Sequence, residues 1–160
     1  MRNQRPEFND EAIYAAYYTL LKNDLQNYSK AHKIKTGVKL YSPDEVSNTT
    51  TQFPCVSFEI FGHETVEAAA DLCGIDYYTR FSVEVNVYTK GKNKYSNCLN
   101  LANAIIKSLQ DPVYMDEEYL TKGLLVREKT RTPYLDDEIC RFTIRLAGMC
   151  DNVNKIIQPR

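Results

Sequence analysis

A chain of 160 residues and 18.5 kDa has the size of one ordinary domain, long enough to bury a single core without disulfide or metal staples. Apolar residues make up 43% and charged residues 26%, which excludes a wholly disordered or collagen-like chain. With 20 basic against 21 acidic residues the formal net charge is −1, so no global field draws nucleic acid, and sequence-specific nucleic-acid binding is not expected.

The five cysteines, Cys55, Cys73, Cys98, Cys140 and Cys150, are an odd number without a C-x-x-C pair or a neighbouring histidine, and they read as buried free thiols of a protein made in a reducing cytosol. No apolar stretch follows the polar start from Met1 to Phe8, so no signal peptide is expected. The longest apolar-looking stretch, Ala12 to Leu21, is too short for a membrane span, and the protein is read as soluble.

In chain order, Asn9 or Asp10 caps a helix in which Ile13, Ala16, Tyr17, Leu20 and Leu21 recur at helical spacing, extending to about His32. Gly37 opens a short strand, Val38 to Tyr41, and Ser42 to Gln52 reads as an exposed loop. In "FPCVSFEIFG" the alternation of Val56, Phe58 and Ile60 with Ser57 and Glu59 predicts a strand. The segment "HETVEAAADLCG" has helical propensity without an apolar stripe and is read as a mobile connection.

The next strand is the clearest: Phe81, Val83, Val85 and Val87 face one way, Ser82, Glu84, Asn86 and Tyr88 the other. A second helix starts at Tyr95, with Tyr95, Leu99, Ala102, Ile106 and Leu109 on its sheet-facing stripe, and ends near Asp111-Pro112. Gly123 to Thr130 and Ile139 to Ala147 are the closing strands, joined by the turn "RTPYLDDE". Strands apolar on one face and polar on the other predict a single α+β domain: a mostly antiparallel or mixed sheet covered on one face by two helices, in the order α-β-β-β-α-β-β. Its core spans about residues 10 to 148, followed by an extended tail over 149–160 that is free to stay loose or add an edge strand to a partner.

The loop Lys90-Gly91-Lys92-Asn93-Lys94, placed before a helix, raises the question of phosphate binding. A phosphate-binding P-loop is GxxxxGK[ST], and here the second glycine and the Ser or Thr after lysine are missing, so a solvated turn or protein-contact loop is the stronger reading. His32 and His63 lack Cys or Asp partners at ligand spacing, and no G-x-S-x-G elbow or H-E-x-x-H helix is present, so no catalytic residue or cofactor is expected. The clusters Asp116-Glu117-Glu118 and Asp136-Asp137-Glu138 have the oxygens a hard cation wants, but exposed loop charge explains them better, and no metal is assigned. Twelve tyrosines and no tryptophan is uneven aromatic usage, with Tyr14, Tyr17, Tyr18, Tyr77, Tyr78 and Tyr88 read as half-exposed. Tyr14, Tyr18, Leu21 and Leu25 form a second stripe on the first helix, which either packs on the chain's own sheet or meets a neighbour.

Three segments carry a resemblance: "FPCVSFEI", "FSVEVNVYTKGKNKYSNCLNLANAIIKSL" and "TPYLDDEICRFTIRLAG". In wording and order they resemble the small neck proteins of long-tailed bacteriophages, most closely the tail terminator, or tail completion, group, over roughly residues 10 to 157. The resemblance implies a non-enzymatic virion protein, made in the bacterial host cytoplasm, that forms a ring, generally hexameric. The ring caps the tail tube and offers a surface to the head connector. Head completion or head-tail joining nearer the portal is the alternative within the class; a phosphate- or nucleotide-handling enzyme using the Lys90–Lys94 loop is the rival outside it. A closed ring needs different patches on the two sides of each subunit, and the basic loop Lys90, Lys92 and Lys94 is a candidate opposite for the acidic loops Asp116 to Glu118 and Asp136 to Glu138.

Overall fold

The computed structural model describes residues 10–46, 51–71, 74–114, 119–121, 123–134 and 136–152. Helix α1 spans Asp10–Ala31, strand β1 Lys39–Tyr41, a single 3-10 turn Pro43–Glu45, β2 Cys55–Asp71, β3 Gly74–Lys90 and α2 Lys94–Leu109. The chain continues through β4 Val113–Tyr114, β5 Tyr119–Thr121, β6 Leu125–Thr132 and β7 Ile139–Asn152. The order is the expected one, with β4 and β5 added between α2 and β6. Both are too short to leave a period-2 pattern in the sequence.

The seven strands among the described residues belong to one mixed sheet in the order β1-β2-β3-β7-β5-β4, with β6 also paired to β7. β1 runs parallel to β2 and every other pairing is antiparallel. β6 covers Arg141 to Ala147 of β7, and β5 covers Cys150 to Asn152 further along the same edge.

Helices α1 and α2 lie on one face because that face is apolar. Val56 and Phe58 of β2, Phe81, Val83, Val85 and Val87 of β3, and Phe142, Ile144 and Leu146 of β7 are all buried. Cross-strand neighbours fall in rows, such as Phe58–Val85–Ile144, so the alternation of each strand becomes one continuous apolar surface. From α1 the residues Ile13, Tyr17, Leu21 and Leu25 descend on it at strict i, i+4 spacing.

Several expectations are corrected. "HETVEAAADLCG" is not a connection: β2 runs through it to Asp71, which pairs with Gly74, so only Leu72 and Cys73, outside the described residues, separate the two strands. Backbone pairing with β3 overrides a helical propensity that had no apolar stripe to support it. Two bulges, between Ile60 and Gly62 and between Glu67 and Ala69, interrupt the ladder, the first placing Phe61 as an extra residue. β6 lies two residues later than expected, and β7 runs on to Asn152, so the tail expected from residue 149 begins inside the sheet. Residues 153–160 lie outside the described residues.

On α2 the buried stripe is Cys98, Leu101, Ala102, Ile105 and Leu109. Leu99 and Ile106 are only partly buried, and Tyr95, expected to lead the stripe, is 48% exposed. The stripe is thus rotated by about one residue, and Tyr95 turns to the β6 side, against Phe142 with Arg131 over its ring. Among the tyrosines read as half-exposed, Tyr17 and Tyr88 are buried, Tyr14 and Tyr18 are intermediate, and the side chains of Tyr77 and Tyr78 lie outside the described ones.

Cys55, Cys98 and Cys140 are buried and free; Cys73 and the Cys150 side chain lie outside the described residues. Burial pushes the Cys55 and Cys98 thiols from 9.0 up to about 12. A thiol that ionises near 9.0 in the unfolded chain and near 12 in the fold contributes stability that is intact below pH 9.0 and is lost as pH rises through 12. Burial raises the phenols of Tyr14, Tyr28 and Tyr88 as well, which adds to the same alkaline loss. The urea midpoint should therefore hold between about pH 7 and 8 and fall steadily above about pH 9. Native Cys55 and Cys98 should stay silent to a thiol reagent until urea unfolds the chain; rapid labelling of either in the native state would contradict this burial.

Candidate interaction surfaces

The Lys90–Lys94 loop joins β3 to α2, and β3 pairs with β7 through Lys90 opposite Ile139. This register brings the loop against the turn Asp136-Asp137-Glu138 of the same chain. The Gly91 amide donates to the Glu138 carbonyl at 3.2 Å, and the Lys94 ammonium donates to the Asp137 carbonyl at 2.5 Å. The turn closes on itself, with the Glu138 amide donating to Asp136 Oδ1 at 2.9 Å and the Ile139 amide to the Asp136 carbonyl at 3.0 Å.

Basic loop and acidic turn, expected to meet between subunits, are thus already neighbours within one. Lys90 lies over the Phe53 ring at 5.8 Å, Lys92 is exposed, and Asp136, Asp137 and Glu138 are exposed. Asn93 caps the helix in a left-handed conformation, φ 62°, without a side-chain cap hydrogen bond. The loop's Gly91 amide and Lys94 ammonium are thus already taken up by carbonyls of an acidic turn, which disfavours an anion there. Among the described residues no group of three His, Cys, Asp or Glu converges as metal ligands, and Asp116, Glu117 and Glu118 lie outside the described residues.

Tyr14 and Tyr18 stack at 5.9 Å on the flank of α1, and Tyr14 leans on Phe58 at 5.3 Å. Tyr14 is therefore tied to the chain's own sheet, and Tyr18 borders a groove that the sequence reading missed.

That groove, of about 660 Å³, lies between the second half of α1 and the segment leading into β1. Leu25, Ile34, Val38 and Leu40 supply its apolar lining; Lys22, Lys30, Lys33, Lys35 and Lys39 surround it, and among the described residues none that lines it is acidic. Buried Ser29 holds the segment in place: its hydroxyl donates to the Leu25 carbonyl at 2.7 Å and accepts from the Val38 amide at 2.9 Å. The signal was present in "KAHKIKTGVK", with four lysines in ten residues, but its fold-back onto α1 was not.

The face of the sheet away from the helices is polar. Thr132 donates to Thr143 at 2.6 Å, Thr143 to Asn86 Oδ1 at 2.7 Å, and Asn86 Nδ2 to Glu84 Oε1 at 3.1 Å. Arg145 pairs with Glu84 at 3.4 Å. This relay across β6, β7 and β3 satisfies half-buried polar groups by one another and fixes strand register. Burial first, then the neighbouring Glu84 and Asp44, raise the Glu59 carboxyl on the same face.

These features define a class by fold: an α+β domain whose mixed sheet is helix-covered on one face and polar on the other. No family model matches the chain, and no curated protein does. Among solved structures 36 chains match. One belongs to the virion of a native gene transfer agent particle; it aligns at 15% identity and a TM-score of 0.55, over 88% of this chain and 95% of that chain. At this identity the likeness shows a shared fold. Among the described residues no helix is long and apolar enough to cross a membrane.

Proposed function

We propose that this chain is a structural component of a phage-like virion, forming a ring that ends tail-tube growth and presents a joining surface to the head connector. The observation that carries the reading is a fold shared over 95% of the length of a virion chain. The three segments resembling tail terminators supply the finer assignment, including a sixfold ring and a place in the neck. Its action is binding without turnover, and its partners are copies of itself, the tail tube protein and a connector protein. Lysine-rimmed groove and acidic turn give one subunit segregated charge of both signs, as contacts along an assembly axis need.

Particles assembled without this chain should separate into DNA-filled heads and unjoined tails of irregular, excessive length. Tails of normal length beside heads that leak DNA would move the chain to a head-completion role nearer the portal. Normal joined particles would contradict both. Nucleotide hydrolysis by the purified chain would favour the enzyme instead.

A further inference from the structure

We propose that copies of this chain join edge to edge, the outer edge of β2 in one copy pairing with the outer edge of β6 in the next, with Phe61 and Leu125 as the apolar contact. The inference rests on the ring reading and specifies the surface that makes it. β1 covers β2 only from Cys55 to Ser57, so among the described residues the outer edge of β2 carries no strand from Phe58 to Asp71. At the other side, among the described residues, β6 pairs only with β7, and its own outer edge carries no strand from Leu125 to Thr132. An uncovered edge is a row of unpaired amides and carbonyls, ready to accept another strand.

The two edges fit each other in direction. β2, β3, β7 and β6 alternate, so β2 and β6 run oppositely, and a copy rotated about an axis along the strands continues the antiparallel pattern. Such a contact uses different patches on the two sides of each subunit, the arrangement that closes rings.

They also fit in chemistry. Phe61 and Leu125 are 53% and 59% exposed, and with Tyr95 they are the large apolar residues the described surface leaves most open. They stand on opposite edges at one height: Gly62 pairs with Ser82, Ser82 with Ala147 and Ala147 with Leu125, and Phe61 is the bulged residue beside Gly62. A laterally placed copy therefore brings Phe61 beside Leu125. Of the three cations of β6, Lys129 donates to Asn103 of α2 at 2.7 Å and Arg131 lies over Tyr95 at 5.3 Å, while Arg127, bulged between Val126 and Glu128, stays exposed two residues from Leu125. Opposing the contact, Glu59 of one copy reaches the height of Glu128 of the next, a repulsion that Arg145, paired beside Glu128, partly offsets.

Cysteine pairing tests this in a chain with Cys73 and Cys150 replaced by serine, whose remaining thiols are buried. Phe61→Cys chains mixed with Leu125→Cys chains should give a mixed disulfide dimer, and neither chain alone should dimerise. The doubly substituted chain should give a ladder of oligomers, in concentrated solution or in assembled particles. Phe61→Asp should weaken association about tenfold without changing Tm, and Leu125→Lys in the neighbouring copy should restore it. Particles that contain the chain but yield no 61–125 cross-link, or a Phe61→Cys homodimer, would overturn this contact and leave the ring reading standing. A chain missing from particles would defeat the ring reading itself.

Discussion

Replacing Phe58 by alanine should cost about 3 to 5 kcal/mol, the range for emptying a large aromatic from a packed core. Phe58 has no exposed surface and sits where α1 meets the sheet, with Tyr14 at 5.3 Å and Tyr17 at 6.1 Å between ring centroids. Below it, Val85 of β3 and Ile144 of β7 stand in the same row and are fully buried. A packed core relaxes only in part around deleted atoms, so much of the cavity would stay open. In a domain of this size the loss corresponds to a Tm lower by on the order of 10 °C. Phe58→Leu should recover more than half of it. A Phe58→Ala chain with unchanged Tm would mean that α1 is not docked on β2 as described.

Gly123→Ala should destabilise by several kcal/mol although it adds one methyl group, on the order of the left-handed penalty and an overpacking cost together. Gly123 has φ +87°, and a Cβ built there would lie 2.1 Å from the backbone carbonyl oxygen of Gln110. That oxygen belongs to the C-terminal cap of α2, so no rotamer change relieves the clash. The next residue makes the reason for the close approach plain: the Leu124 amide donates to the Leu109 carbonyl at 2.9 Å, and the Leu124 side chain is buried. Gly123 thus lets the chain pass under the end of α2 and enter β6 at Leu125. Urea unfolding of Gly123→Ala should show a lower midpoint, and hydrogen exchange should show β6 released before β3. If the exchange of β6 amides is unaltered, the close approach does not control that strand.

The sequence was most legible where one face of an element is buried. In β3 and β7 strict alternation became a real apolar surface, because each residue's partner across the ladder obeys the same period. It was least legible where pairing rather than burial decides. "HETVEAAADLCG" looks like a weak helix until β3 lies beside it, and nothing local says that it will. The rotated stripe of α2 has a similar cause: Leu99 and Ile106 are as apolar as Leu101 and Ile105, and the way α2 sits against β3, β7 and α1 decides which pair is covered.

The candidate surfaces divide in the same way. Charge in the Lys90–Lys94 loop and the Asp136–Glu138 turn was plain, whereas their meeting within one chain follows from the β3–β7 register. Five lysines around one groove come from two separate stretches of sequence, Lys22 alone and Lys30 to Lys39, brought together by the return of the chain along α1. The exposed edges of β2 and β6 had no signature at all, since an edge is defined by which strand is absent from it.

The measurement that bears most directly on the central claim is the position of this chain in purified particles from the genome that encodes it, by labelled-antibody imaging or reconstruction. The account predicts one closed ring where the tail tube ends below the head, with a sheet continuous between subunits. Particles in which the chain is missing, or is spread along the tail or over the head, would contradict it.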